Sequence, residues 1–436
     1  MSQTTRRTFL QASSLSAFAA TRAWGANDRI NVAIVGVGGR GRDHIKVYAK
    51  QQDARIYALC DVDQANLERA TALAQKLTGE KPKTYEDMHE VFADKEVHAV
   101  SMPLPNHWHA LAAVWACQAG KDVYVEKPAC HDPYEGRQMV AAARKYNRIV
   151  QVGSQGRSIA HKIRAVELLQ SGVIGPLYLS RGLCFKRRAS IGHTPVQPVP
   201  PGVDWDKFLG PAPMIPFSKN RFLYNWHWFW DTGNGDIGNQ GVHEMDIARW
   251  GLGVDLPRSV VANGGKYIYD DDQQTPNTLL ARFDYGDKEL VFEVRGLPTS
   301  HEADLSQSES NCVGNLFYGR DGWMALDAEG YRIYKGEPEG KLVQQAKYEE
   351  PSMTDTAPHV ANFLAAVRSR RYQDLHADIN IGRISADLCH LANISYRRGG
   401  QLLKFDPKTE RFEDGEANEL AHPGYRAPYV IPELTA

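Results

Sequence analysis

Three groups of residues in this chain have types and spacing suited to chemistry. Glu126-Lys127-Pro128 follows the apolar run DVYV. A lysine on the turn after a buried strand, fixed by the next proline, can hold an ammonium against a hydroxyl and exchange its proton. Burial lowers its pKa toward the working range. The second group is NWHWFWDTGNGDIGNQGVHEMDIARW, where Gly233, Gly235, Gly238 and Gly241 mark a loop leading into a helix. On that helix Asn239, His243 and Asp246 fall at i, i+4 and i+7, on one face, with Asp236 just upstream. His243 there either assists proton transfer or orients a substrate hydroxyl, with Asn239 or Asp236 fixing its tautomer, or is a core histidine bonded to Asp246.

The third group is NVAIVGVGGRG, a buried-strand pattern running into Gly36, Gly38 and Gly41. The GxGxxG spacing gives a tight turn, a close backbone approach to a pyrophosphate, and close packing of the next helix. Gly39 and Arg40 open that helix, whose unpaired amide donors would face phosphate. Asp61 stands twenty residues beyond Gly41, at the end of RIYALCD, where a carboxylate meets an adenosine ribose. The expected ligand is NAD, because Asp61 would repel a 2′-phosphate, although nearby arginines temper the preference over NADP.

These groups need an open α/β sheet to position them. Strands are expected at NVAIVG, RIYALCD, VHAVSM, DVYVEK and IVQVG, with helices near 42–51, 64–77, 107–119 and 133–146. Ligands of such sheets sit at the carboxyl ends of the strands. Those ends carry PNHWH with Asn106, His107 and His109, then Glu126 and Lys127, then GSQGR with Gln155 and Arg157. Beyond Arg157, strand-like runs joined by Gly and Asp turns indicate a second, α+β domain with a large, mostly antiparallel sheet. A long Pro-rich loop, HTPVQPVPPGVDWDKFLGPAPMIPF, interrupts it and suits a substrate pocket or an oligomer contact. Trp226, Trp228 and Trp230 alternate at strand spacing, which would place the indoles on one face and His227 with Phe229 on the other. Such a face packs against a sugar ring or belongs to a core or interface. Helices near 358–370 and 379–398 follow, the second with Leu388, Leu391 and Ile394 at helical spacing. A Pro-containing tail is expected to wrap over the body or a neighbouring subunit.

The 436 residues, 42% hydrophobic and 24% charged with net charge -1, fit a chain of two or three domains and point to neither nucleic acid nor an anionic membrane. Six cysteines without a CxxC pair argue against a zinc ribbon or a disulfide framework, while leaving room for a single disulfide. His107, His109, His227 and His243 lack metal-ligand spacing, so no metal is expected, and no GxSxG elbow is present. Arg6-Arg7, Phe9, Leu10 and a short Ala/Ser-rich run read as a twin-arginine export signal, cleaved between Ala17 and Ala26 and too short to span a bilayer. The expected destination is the periplasm, reached through the twin-arginine export machinery with the cofactor already bound. The expected divisions are a signal segment (1–27), an NAD-binding Rossmann domain (28–152), a substrate and oligomerisation domain (153–400) and a C-terminal extension (401–436).

GVGGRG, Asp61, PNHWH, EKP and the GDIGNQGVHEMD helix together resemble the glucose-fructose oxidoreductase, inositol dehydrogenase and rhizopine catabolism family, Gfo/Idh/MocA. The resemblance runs from Asn31 to about Gly400. It implies a doubly wound Rossmann domain, an α+β domain whose open sheet supports a homodimer or homotetramer, and a sugar or cyclitol bound between the two. It also implies that Lys127 touches nicotinamide ribose and substrate, and that His243 works in proton transfer with an aspartate four residues earlier. Here that position is Asn239, which takes no proton at neutral pH, so Lys127 is the stronger candidate base, with Asp236 as a substitute acid or substrate contact. Gly36, Gly38, Gly39, Arg40, Gly41, Asp61, Asn106, His109, Glu126 and Lys127 are expected at the cofactor. Arg157, Trp226, His227, Asp236 and His243 are expected at the substrate. Three functions fit: an NAD-dependent sugar or cyclitol oxidoreductase with tightly held cofactor, a glycosidase acting by transient oxidation and elimination, and a non-catalytic sugar-binding protein.

Overall fold

A computed structural model describes residues 29–300, 302–308, 311–336, 340–348 and 356–434; the export signal read in 1–27 lies outside them. The first half alternates β1 (Ile30–Val35), α1 (Gly39–Tyr48), β2 (Ala54–Cys60), α2 (Gln64–Thr78), β3 (Lys83–Tyr85) and α3 (Met88–Ala93). It continues with β4 (Ala99–Met102), α4 (Asn106–Gln118), β5 (Asp122–Val125), α5 (Pro133–Lys145) and β6 (Val150–Val152). The strands form a parallel sheet in the order β3-β2-β1-β4-β5-β6. β4 and β5 are buried at every position, as continuous apolar runs between two helical layers must be. Strand order reverses between β1 and β4, which opens a crevice at their carboxyl ends. β3 and α3 escaped the sequence reading because KTY is too short, and too exposed, to show a period.

The second half opens with α6 (Ala160–Gln170), β7 (Leu177–Phe185), α7 (Trp205–Leu209), α8 (Gly235–Asn239) and α9 (Gly241–Leu252). β8 (Ser259–Gly265), β9 (Thr278–Asp284), β10 (Glu289–Arg295), β11 (Gln307–Ser308), β12 (Asn311–Gly319), β13 (Gly322–Leu326), β14 (Gly330–Lys335) and β15 (Lys341–Lys347) follow. The chain then forms α10 (Ala357–Ser369), α11 (Ile379–Arg397), β16 (Leu403–Asp406), β17 (Arg411–Phe412) and α12 (Gly415–Leu420). The described strands make one 11-stranded sheet, β15-β14-β13-β12-β7-β10-β9-β8-β16-β17 with β11 beside β12, antiparallel except where β7 meets β10. Met245, Ala248 and Leu252 of α9, with Leu388, Leu391 and Ile394 of α11, cover one face of this sheet against Phe283 and Phe292.

Tertiary packing rearranges several local expectations. α10 joins the first sheet rather than the second: Val360, Phe363, Leu364 and Val367 pack with Ile30, Ile34 and Leu59. The segment after 400 supplies β16, paired to β8, and then returns to the first domain, where Ile431 enters the core. The tryptophan run is not a strand. Residues Asn225–Trp228 form a 3₁₀ turn, so Trp226 and Trp228 do not share a flat face, and the ring of Trp226 stacks on His227 at 3.5 Å. Part of the Pro-rich loop folds into its own aromatic cluster of Trp205, Phe208 and Phe217. All six cysteines are buried and free. Among the described residues no helix is long and apolar enough to cross a membrane.

Candidate active site

α1 begins at the glycine loop with no side-chain cap, which leaves its first amide donors open. A Cβ on Gly41 would stand 2.1 Å from the carbonyl oxygen of Gly36, so this glycine lets α1 leave the strand at that angle. Gly36, at φ +90°, makes the turn itself. From this loop a cavity of about 960 Å³ runs along the carboxyl ends of β1, β2 and β4 to the second domain. Its volume suits a dinucleotide with a small substrate.

Gly36, Gly38, Gly39, Arg40, Asp61, Asn106, Glu126, Lys127, Trp226, His227, Asn239 and His243 all line this cavity. The Asp61 carboxylate accepts the N–H groups of Val37 at 2.7 Å and Asp63 at 2.9 Å, which fixes it at the crevice. Burial pushes its pKa up to about 6. Asn106 donates to Asn234 at 2.9 Å and ties the two domains together beneath the cavity.

The Glu126 carboxylate is held by Arg40 at 2.8 Å and by His44 at 3.0 Å. Burial alone would raise its pKa, but the Arg40 charge and the His44 hydrogen bond outweigh burial and keep it well below the usual range. Glu126 therefore anchors Arg40 beside the glycine loop. Lys127 donates to the main-chain carbonyl of Asn239 at 2.8 Å. Burial lowers its pKa, Glu126 opposes this, and the charges of Arg40, Lys186 and Arg188 lower it further. Burial and then the Lys127 charge hold His243 well below its ordinary value, so its imidazole is neutral at physiological pH.

Four expected site residues do other work. Arg157 lies off the cavity, bidentate to Asp246 at 2.8 and 2.9 Å, and braces the start of α6 against α9. The same pairing removes Asp246 as a partner for His243. Asp236 is buried in a two-pronged pair with Arg188, at 2.7 and 3.1 Å, and does not line the cavity. His109 has both ring nitrogens on main-chain carbonyls, of Pro128 at 2.6 Å and Leu104 at 2.8 Å, and so holds the EKP turn in place. Gly41 contributes packing. Asn239 closes α8 and is separated from α9 by Gln240; its amide donates to Tyr224 Oη at 3.0 Å.

Sequence reading named Gln155 at a strand end but gave it no role, and left out Tyr224 and Tyr429; all three line the cavity. Gln155 had a usable signal, its place just after β6, and its buried Oε1 accepts no hydrogen bond from the protein. The two tyrosines come from loops whose place only packing decides. Among the described residues, Cys130, Asp387 and His390 place ligand-type atoms within 4.8 Å of one another, away from the cavity. Arg383 already donates to Asp387 there at 2.9 Å. None of the four histidines weighed as metal ligands belongs to this group.

A family model described as an oxidoreductase family, NAD-binding Rossmann fold, matches residues 30–154. Its companion, the C-terminal alpha/beta domain of the same oxidoreductase family, matches 166–280 and 326–431. The chain belongs to the Gfo/Idh/MocA family. D-glucoside 3-dehydrogenase of Escherichia coli K12 is 25% identical over 240 residues, 55% of this chain and 58% of that protein. Inositol 2-dehydrogenase of Salmonella paratyphi B is 31% identical over 155 residues, 35% of this chain and 45% of that protein. A glycosyl hydrolase family 109 protein of Shewanella sp. W3-18-1 is 25% identical over 154 residues, 34% of either chain. The match thus spans about a third to three fifths of these curated relatives. Among solved structures, the WlbA dehydrogenase of Bordetella pertussis in complex with NADH and UDP-GlcNAcA aligns at TM-score 0.63. It is 19% identical, and the alignment covers 87% of this chain and 99% of that one. This Gfo/Idh/MocA member takes NAD: the uncapped α1 terminus, the close Gly36–Gly41 contact and the Asp61 carboxylate fit a dinucleotide.

Proposed function

We propose that this chain is an NAD-dependent dehydrogenase acting on a ring hydroxyl of a sugar, sugar derivative or cyclitol. One observation carries the reading. Lys127 and His243 line the same cavity as the glycine loop and Asp61, at the seam between the domains. When bound, NAD supplies the acceptor for the hydride that leaves the substrate carbon.

The protein residues handle the proton. The neutral amine of Lys127, favoured by the lowered pKa and positioned by its N–H donation to the Asn239 carbonyl, takes the proton of the hydroxyl on its lone pair and becomes the ammonium as the C–H bond breaks. Neutral His243 accepts a hydrogen bond from a substrate hydroxyl and orients the ring. Glu126 stays ionised and keeps Arg40 beside the phosphate-binding turn. Trp226 offers an apolar surface to the sugar at the cavity wall. Purified protein incubated with sugars, cyclitols and NAD should form NADH, and Lys127→Ala should bind without turnover. Full turnover in Lys127→Ala overturns the reading.

The NAD-dependent glycosidase reading is favoured by Asn239, an amide where the dehydrogenase pattern has an acid, and by the glycosyl hydrolase family 109 relative. Release of an aglycone with no net NADH would select it. We further propose twin-arginine export on the strength of Arg6-Arg7 and the short run after them. A reporter fused to residues 1–27 should leave the cytoplasm, and twin lysines at these positions should retain it. The face of the large sheet that bears half-exposed Leu280 supports a homodimer or homotetramer, which light scattering would measure.

A further inference from the structure

Two segments of the second half cross back over the first domain, at the end of the cavity away from Lys127. One contains α7, and the other is the chain beyond α12. Arg426 joins them. Its guanidinium donates to the carbonyls of Gly210 at 2.9 Å and Ala212 at 3.1 Å and to the Asp206 carboxylate at 2.6 Å. Its own N–H donates to Pro211 at 3.1 Å. Trp108 of α4 fixes the α7 segment from below by donating to the Lys207 and Phe208 carbonyls, each at 3.0 Å. Gly210, at φ +47°, is required there, since a Cβ would sit 2.1 Å from the Trp108 ring.

The latch brings Tyr429 onto the cavity. Its ring meets Trp108 edge-on at 5.5 Å and lies 6.5 Å from Trp115, and its hydroxyl donates to Asp206 at 3.3 Å. Trp115 in turn packs against His89, the ring centroids 4.3 Å apart and the planes tilted by 42°. All four rings line the cavity together with Asn66 and with Asp61, the carboxylate expected at the adenosine ribose. An aromatic wall in the same cavity as a carboxylate placed for a ribose has the chemistry to take a purine. The segment is anchored on both sides of the wall. Tyr425 donates to Asp132 at 2.8 Å, and farther on Leu434 N–H donates to Gln138 at 2.7 Å, with Ile431 buried between them.

We propose that residues 426–431 form a strap that seats the adenine half of NAD against Tyr429, Trp108 and Trp115, with Arg426 as its latch. Exchange of the dinucleotide then requires the strap to lift. The inference rests on NAD as occupant of the cavity. It is tested by measuring ADP-ribose affinity calorimetrically and the NADH dissociation rate by stopped-flow fluorescence, on intact protein and on variants that melt as cooperatively as wild type. Tyr429→Ala and Arg426→Ala should each weaken ADP-ribose about tenfold and speed NADH release about tenfold, while Tyr429→Phe stays within twofold of wild type. Tyr429→Leu, which keeps most of the buried surface, should lose ADP-ribose affinity like the alanine variant. It serves as the deciding variant if Tyr429→Ala fails to fold. Wild-type affinity and release in Tyr429→Leu and Arg426→Ala overturn the strap alone. Wild-type protein that binds neither ligand overturns the dinucleotide reading and the strap with it.

Discussion

The ammonium of Lys127 and the main-chain carbonyl of Asn239 are 2.8 Å apart and hydrogen-bonded. This contact joins the turn after β5 to the end of α8, so the first and second domains meet at the group proposed to carry the proton. A carbonyl partner brings no counter-charge of its own to the ammonium. The Lys127 pKa is therefore set by burial and by the balance of Glu126 against Arg40, Lys186 and Arg188.

If Lys127 is the base, its free amine is the active form. That form grows as pH rises, so kcat/KM should climb with an apparent pKa below the ordinary lysine value. His243 already sits neutral and should not shape the profile above pH 7. Lys127→Met should lower kcat by about 10³-fold with NAD affinity within a few-fold of wild type. His243→Asn should lower kcat/KM and keep the rising limb. A pH profile of each variant checks both outcomes.

Asp61 should govern both cofactor choice and acid sensitivity. With its pKa raised by burial to about 6, it is ionised at pH 8 and protonated at pH 5. NAD affinity should fall on acidification through that range, because a protonated carboxyl loses acceptor capacity. Asp61→Asn should bind NAD about tenfold more weakly at pH 8, the scale of one hydrogen bond to a charged group. The gap to wild type should close at pH 5, and the NADP to NAD ratio should improve. Fluorescence titrations at the two pH values measure all three effects.

Arg157→Leu should lower stability rather than raise KM, since it takes the bidentate partner from buried Asp246 and leaves it Ser385 at 2.6 Å and Arg249 at 3.8 Å. Breaking a buried pair costs about 3–5 kcal/mol, read as a lower urea midpoint. Burial favours the protonated Asp246, but Arg157 outweighs it and depresses the pKa. The pair's contribution is therefore complete above the unfolded aspartate value and lost as pH falls through the folded one. The midpoint difference should shrink in acid.

Gly41→Ala should disrupt the glycine loop, because its Cβ would meet the Gly36 carbonyl at 2.1 Å. A fall of several degrees in melting temperature, with loss of NAD binding, is expected. Gly39→Ala, with nothing within 4 Å of the added Cβ, should melt like wild type. Differential scanning calorimetry of the pair checks the contrast.

Much of the site was legible because its signals are local. GxGxxG, Asp61 and EKP each sit at the end of a short apolar strand, and a parallel sheet brings strand ends together whatever the loops do. The reading failed where partners are distant. Arg157 and Asp236 are charged residues near the right strands and helices, yet each is absorbed by an ion pair, with Asp246 and with Arg188, that no spacing reveals. The tryptophan alternation misled because a 3₁₀ turn and a strand are hard to tell apart over a few aromatic residues.

By itself, the sequence determined the doubly wound first domain, the dinucleotide loop and the lysine at its rim, since periodicity, glycine geometry and strand-end placement act over a few residues. Tertiary structure alone decided that α10 packs on the first sheet, that Asn239 meets Lys127 through its backbone, and that Tyr429 reaches the cavity. Those outcomes depend on which apolar faces and buried charges find each other across hundreds of residues. The energy that selects them is burial and pairing in the folded state, which no short window of the chain contains.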